Sequence, residues 1–179
     1  MKSLSTTGFD FFTRTFLLSD GSLVNCHIYD TAGQERFNSI SVNYYKKADA
    51  ILLVYDISER TTFEKVKNYY VKSIKDNCKE DVIILLIGNK ADLEEKRQVK
   101  CDEGISLALQ EKYEFKESSC LHNRNVSGAF EYLLEEWNFR NKTKKGKTSH
   151  NSDNKNSNSP RDSIKLEINK AKKKKKKCC

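Results

Sequence analysis

No apolar stretch in this chain of 179 residues approaches the roughly 18 that a membrane-spanning helix requires. Met1 is not followed by a basic and then apolar secretory signal, so neither a spanning helix nor entry into the secretory path is expected. Of the six cysteines, Cys26, Cys78, Cys101 and Cys120 lack the short pairwise spacing of a zinc site or a disulfide framework, which points to a reducing compartment. No internal repeat is visible. Excess charge is also missing from most of the chain. Residues 1–140 carry a net charge of −3 and residues 141–179 carry +11, so the whole +8 excess sits at the end.

That division sets the expected organisation. The length suits one domain plus a tail. Residues 1–140 have regular apolar runs and can bury a core. Residues 141–179 are rich in Lys, Asn and Ser, too poor in apolar residues to offset their ordering entropy, and are expected to be disordered.

Within the front part, Phe9 to Leu18, an Asp20-Gly21 turn and Leu23 to Asp30 read as a β-hairpin. Ala50 to Tyr55 and Val82 to Ile87 are short, unbroken apolar runs, as expected of parallel strands covered on both faces. Helical periods lie at Phe63, Val66, Tyr70 and Ile74, at Ile105, Ala108 and Leu109, and at Val126, Phe130, Leu133, Leu134 and Trp137. Alternating strands and helices predict an α/β fold with a mainly parallel sheet, whose ligands bind at the carboxyl ends of the strands.

Two strand ends carry distinctive strings, Asp30-Thr31-Ala32-Gly33-Gln34-Glu35 and Gly88-Asn89-Lys90-Ala91-Asp92. A carboxylate there can hold hydrated Mg²⁺, a glycine lets backbone N–H approach a phosphate, and a glutamine can orient water. Taken singly, each also reads as a solvated strand-end Asp, a turn Gly and a surface Gln. In the second string, Asp92 can accept hydrogen bonds from the N1–H and exocyclic amine of guanine, while Asn89 and Lys90 pack on the base and bridge neighbouring loops. Adenine offers the opposite donor pattern, so selectivity follows from the cost of unpaired groups.

The strings STTGFDF (5–11), DTAGQERF (30–37), YYKKA (44–48), LVYDIS (53–58), GNKADL (88–93) and ESSC (117–120) resemble, in order, a Ras-superfamily small GTPase of the Rab branch. The resemblance implies a P-loop NTPase-like fold, with a mostly parallel sheet and helices on both faces. It implies Thr6 and Asp30 as Mg²⁺ residues, Gly33 as the γ-phosphate sensor and Gln34 as the catalytic, water-orienting glutamine. Asn89, Lys90 and Asp92 would read guanine of GTP or GDP, and Ser119, Cys120 and Leu121 correspond to the loop that meets the guanine carbonyl oxygen. Phe11, Tyr29 and Tyr44 would form an effector surface, although the same aromatics also suit an ordinary core.

The pattern departs in one large respect. No GxxxxGK[ST] phosphate loop occurs, and only Met1 to Leu4 precede the switch string. The family's first strand, which lies centrally in the sheet, and its first helix would be missing with it. Strand edges are then expected to be exposed and a core unfilled, a cost exceeding the roughly 5–15 kcal/mol by which a domain is stable. The chain is accordingly expected to fold poorly and to bind nucleotide weakly or not at all. Smaller departures are Tyr29 for the usual Trp, Thr7 for an apolar residue and Leu121 for the usual Lys. His27 has no ligand-spaced neighbour and reads as a strand residue.

Lys172 to Lys177 followed by Cys178-Cys179 resembles the Rab double-prenylation signal. Two prenyl chains and a polybasic run supply the signals that stable attachment needs. The resemblance implies a lipid-anchored protein on the cytoplasmic face of intracellular membranes, with a cytosolic pool, acting in vesicle traffic. Its implied partners are effectors, an exchange factor, an activating protein, and escort and dissociation-inhibitor proteins. A lysine run also suits a solvated tail or a nucleic-acid arm. The terminal cysteines favour lipid, and no nucleic-acid partner is expected.

Overall fold

A computed structural model of the chain describes residues 9–31, 43–148 and 163–170. Its strands are β1 (Phe9–Leu17), β2 (Leu23–Thr31), β3 (Ala50–Asp56), β4 (Ile83–Asn89), β5 (Glu114–Glu117) and β6 (Ser163–Lys170). The helices are α1 (Arg60–Lys65), α2 (Val71–Asn77), α3 (Cys101–Glu111) and α4 (Val126–Thr148), with a π-helical turn at Val66–Tyr70 joining α1 to α2. The sheet order is β1-β2-β6-β3-β4-β5. Among the described strands only β1 and β2 pair antiparallel; every other neighbour is parallel.

The hairpin forms as its turn chemistry predicts. Gly21 takes the positive φ of 82° that the turn demands, and Asp20 accepts from the Ser22 N–H at 2.8 Å. The turn is fastened to α4: Asp20 also accepts from the Asn138 amide at 2.6 Å and pairs with Lys142, and Glu135 accepts from the Ser19 N–H at 2.7 Å.

β3 and β4 are continuous apolar runs because both faces are covered. On one face Ile51, Leu53, Tyr55 and Leu86 pack with Phe63, Val66, Tyr70 and Leu107 of the helices. On the other, Ala50, Leu52, Leu85 and Ile87 pack with Cys26 and Ile28 of β2 and with Ala129, Leu133 and Leu134 of α4. Burial pushes the Cys26 thiol up to about 12, so it is an inert core group.

Two expectations require correction here. The edges of β2 and β3 are not exposed, because β6 lies between them and pairs with both. Nor are residues 141–179 unstructured throughout: α4 runs on to Thr148, and Ser163–Lys170 is a strand of the sheet. The helix is held past Arg140 by Lys142 on Asp20 and Lys144 on Asp81. In β6, Leu166 is 1% exposed and joins the α4-side core, while Asp49 bonds the Lys165 backbone twice, at 3.0 and 3.1 Å. A third difference concerns α3, which buries Gly104, Leu107 and Ala108 and leaves Ile105 and Leu109 exposed. Ala108 is buried as the period predicts, and the buried face turns from Ile105 and Leu109 to Gly104 and Leu107.

Close packing under the carboxyl ends explains one glycine. A Cβ on Gly104 would lie 2.6 Å from the Phe115 ring and from the Tyr55 hydroxyl. That hydroxyl is buried with no hydrogen-bond partner among the described residues, and burial pushes its pKa up. Tyr55→Phe removes an unsatisfied donor and is expected to stabilise the protein by about 1 kcal/mol, raising the thermal midpoint by about 2–4 °C. A calorimetric midpoint that falls instead would contradict this packing.

Candidate functional site

The carboxyl ends of β2, β3, β4 and β5 bring Asp30, Asp56, Asn89 and the Ser118–Ser119 pair to one edge of the sheet. β4 and β5 stay in register through Gly88–Glu117, and the chain then crosses over: the Ser118 N–H donates to the Gly88 carbonyl at 2.9 Å and the Ala91 N–H to the Ser118 carbonyl at 3.0 Å. These bonds lock the GNKAD loop to the ESSC loop.

The side chains converge on the same junction. Ser119, 1% exposed, donates its hydroxyl to Asp92 at 2.5 Å, and Ser118 donates to the Asn89 amide oxygen at 3.2 Å. The Cys120 thiol reaches the same Asn89 oxygen at 3.5 Å. Lys90 takes a left-handed φ of 64° and ion-pairs with Asp56 at 2.5 Å. Asp56 in turn accepts from the Ser58 N–H and hydroxyl at 2.9 and 2.6 Å. Beneath the loops, Arg97 bridges Glu94 and Glu117, which holds the guanidinium firmly charged.

The Ser119 hydroxyl bond, aided by the nearby His122 and Arg124, holds the Asp92 carboxyl below its ordinary 3.8. Asp92 is therefore an anion with acceptor capacity to spare, as a reader of two N–H donors must be. The sign is that of a lowered carboxylate: what its charge contributes is present above the ordinary value and lost as pH falls through the depressed one. Ser119→Ala is expected to move the Asp92 midpoint upward, followed by carboxyl carbon chemical shifts. An unmoved midpoint would show that the hydroxyl is not its main partner.

Other expected residues are placed as follows. Phe11, Tyr29 and Tyr44 come together as a row of rings, with centroids 5.0 Å apart for the first pair and 4.9 Å for the second. Phe11 is half exposed, and its other neighbour is the ring of His27, at 5.6 Å. Leu121 is exposed beside the junction. Thr6, Gly33, Gln34, Cys178 and Cys179 lie outside the described residues. Sequence reading missed Ser118 as the partner of Asn89 and Asp56 as the partner of Lys90. The first adjoins Ser119 in the same string, whereas nothing in the sequence links Asp56 to Lys90.

For a metal, the described residues fit in part. Asp30 stands half-buried at the carboxyl end of β2, the type of oxygen donor that Mg²⁺ takes, and its other expected partner, Thr6, is outside the described residues. Among the described residues no cluster of three or more metal-binding side chains occurs. No helix among them is long and apolar enough to cross a membrane.

A mostly parallel α/β sheet whose carboxyl edge gathers an Asn-Lys-x-Asp loop, a buried serine loop and a strand-end aspartate defines a small-GTPase type of fold. The chain belongs to the Ras family, which it matches over residues 1–139. Its relatives are of Rab type. It is 41% identical over 134 residues to "Ras-related protein RIC2" of Oryza sativa subsp. japonica, covering 75% of this chain and 61% of that protein. To "Ras-related protein RABA2b" of Arabidopsis thaliana it is 42% identical over 136 residues, covering 76% and 63%. To "Ras-related protein Rab-13" of Canis lupus familiaris it is 40% identical over 147 residues, covering 82% and 71%. The chain thus spans under two thirds of the length of the first two relatives.

Proposed function

We propose that the chain is a Rab-type guanine-nucleotide-binding switch that works on the cytoplasmic face of intracellular membranes in vesicle traffic. The observation that carries this reading is the assembled base-reading junction, with Asp92 ionised and fixed by Ser119 and with Asn89 fixed by Ser118. Guanine meets Asp92 with two donors. Adenine would leave the carboxylate facing a ring nitrogen lone pair, an unpaired contact that costs at least about tenfold in affinity.

Thr6 and Asp30 would hold Mg²⁺, which when bound neutralises phosphate charge. Gly33 would approach the terminal phosphate, and Gln34 would orient the attacking water for hydrolysis of GTP to GDP and phosphate, assisted by an activating protein's arginine. Phe11, Tyr29 and Tyr44 would meet effectors, and an exchange factor would act on the same edge. Cys178 and Cys179 would take prenyl groups, which require escort and dissociation-inhibitor proteins in the cytosol.

Titration of the full chain with GDP, GTP and ADP by calorimetry tests this reading. Binding of GDP and GTP at least about tenfold tighter than ADP is expected. Equal binding of all three would contradict it, and a folded chain that binds none would instead be a membrane-tethered interaction module without nucleotide control.

A further inference from the structure

The described strands give the sheet two outer edges, β1 and β5, and the two are built differently. β5 spans only Glu114–Glu117, and Glu114, Lys116 and Glu117 are charged, which blunts an edge against pairing with another chain. β1 runs for nine residues in unbroken register with β2, so no bulge interrupts it. It contains no lysine and no proline, the other devices that protect an edge, and Phe12 on it is 56% exposed.

The hairpin decides which backbone groups of β1 are open to a partner. The Leu18 N–H donates to the Ser22 carbonyl at 2.9 Å, so Leu18 faces β2, and alternation along the strand turns the N–H and C=O of Phe16, Arg14 and Phe12 the same way. Those of Phe11, Thr13 and Thr15 point away from β2, and no described strand lies beyond them.

The side chains select the partner. The only charged residues of β1 are Asp10 and Arg14, one acid and one base placed symmetrically about Phe12. Both are exposed and form no ion pair among the described residues; Arg14 lies over the Phe16 ring, 5.1 Å from its centre. When two copies of β1 are set antiparallel about Phe12, Asp10 of each meets Arg14 of the other and the two Phe12 rings meet. The same register sets Phe11 of one copy against Thr13 of the other, so outward-facing backbone groups meet and exchange hydrogen bonds. A register one residue off opposes outward groups with groups already turned to β2. Registers two residues off part the charges.

We propose that the β1 edge is a self-association surface, at which a second copy of this chain pairs antiparallel about Phe12 and joins the two sheets into one. The strand's charge pattern is self-complementary, as a two-fold interface requires.

Sedimentation equilibrium of the full chain, made without prenyl groups, tests the proposal, and reversible dimers of micromolar order are expected. Asp10→Arg and Arg14→Asp each set like charges across the pair, and each is expected to weaken association at least about tenfold. An equal mixture of the two variants restores both opposite-charge pairs, so a heterodimer of near-parental affinity is expected. Amide exchange gives a second readout: as concentration rises, Phe11 and Thr13 are expected to slow while Phe12 and Arg14, already bonded to β2, change little. A monomeric parent chain, a dimer that tolerates either single variant, or folded variants that fail to associate on mixing would overturn the proposal. Slow exchange at Phe11 and Thr13 that is independent of concentration would overturn it too, since a segment of the same chain would then cover the edge.

Discussion

Replacing Leu166 by alanine is expected to cost about 2–5 kcal/mol of unfolding free energy, a large share of what holds a domain of this size together. Leu166 is 1% exposed and packs in the same cluster as Cys26, Leu52 and Leu133, so truncation leaves a cavity between the sheet and α4. The loss reaches further than one side chain, because β6 is the hydrogen-bonded link between the β1–β2 hairpin and the β3-β4-β5 half of the sheet. Denaturant unfolding measures it. A change under about 0.5 kcal/mol, the level of an ordinary surface substitution, would mean that the strand contributes little to the fold.

Asp92→Ala is expected to lower guanosine nucleotide affinity by about a hundredfold and to erase the distinction between guanine and hypoxanthine bases. Hypoxanthine lacks the exocyclic amine, so the parent chain should prefer guanine by roughly tenfold, the worth of one hydrogen bond to a charged acceptor. The alanine variant has no acceptor to feel the difference. Competition binding with GDP and inosine diphosphate reads both effects. A preference that persists in the variant would place base recognition elsewhere. Ser119 is the natural companion measurement, since its hydroxyl holds the carboxylate.

Those two residues mark the limits of what the sequence made legible. Asp92 was readable because GNKAD follows an apolar run that can only be a buried strand, and the Asp-Gly turn made the hairpin readable for a similar local reason. Leu166 was not read, although Ile164, Leu166 and Ile168 alternate with polar residues in a strand's period of two. Average composition over the Lys, Asn and Ser of the tail hid a short local pattern. Only the gap between β2 and β3 gives that pattern something to pair with, and such a gap is a tertiary fact.

The rotated face of α3 has a comparable cause. Ile105 and Leu109 are as apolar as Leu107, and the face that turns inward is chosen by Gly104, the position where Phe115 and the Tyr55 hydroxyl leave no room for a side chain. Asp56 ends β3 and Lys90 follows the last residue of β4, and the register of β3 on β4, which pairs Asp56 with Asn89, brings them within reach.

Ser163–Lys170 completes the sheet as an interior strand between β2 and β3. Hydrogen exchange of the full chain, followed by mass spectrometry, tests it most directly. Residues 163–170 are predicted to exchange as slowly as β3, residues 50–56, since both are interior strands of one sheet. Exchange of that segment at the rate of an unprotected chain, with β3 still protected, would contradict the account.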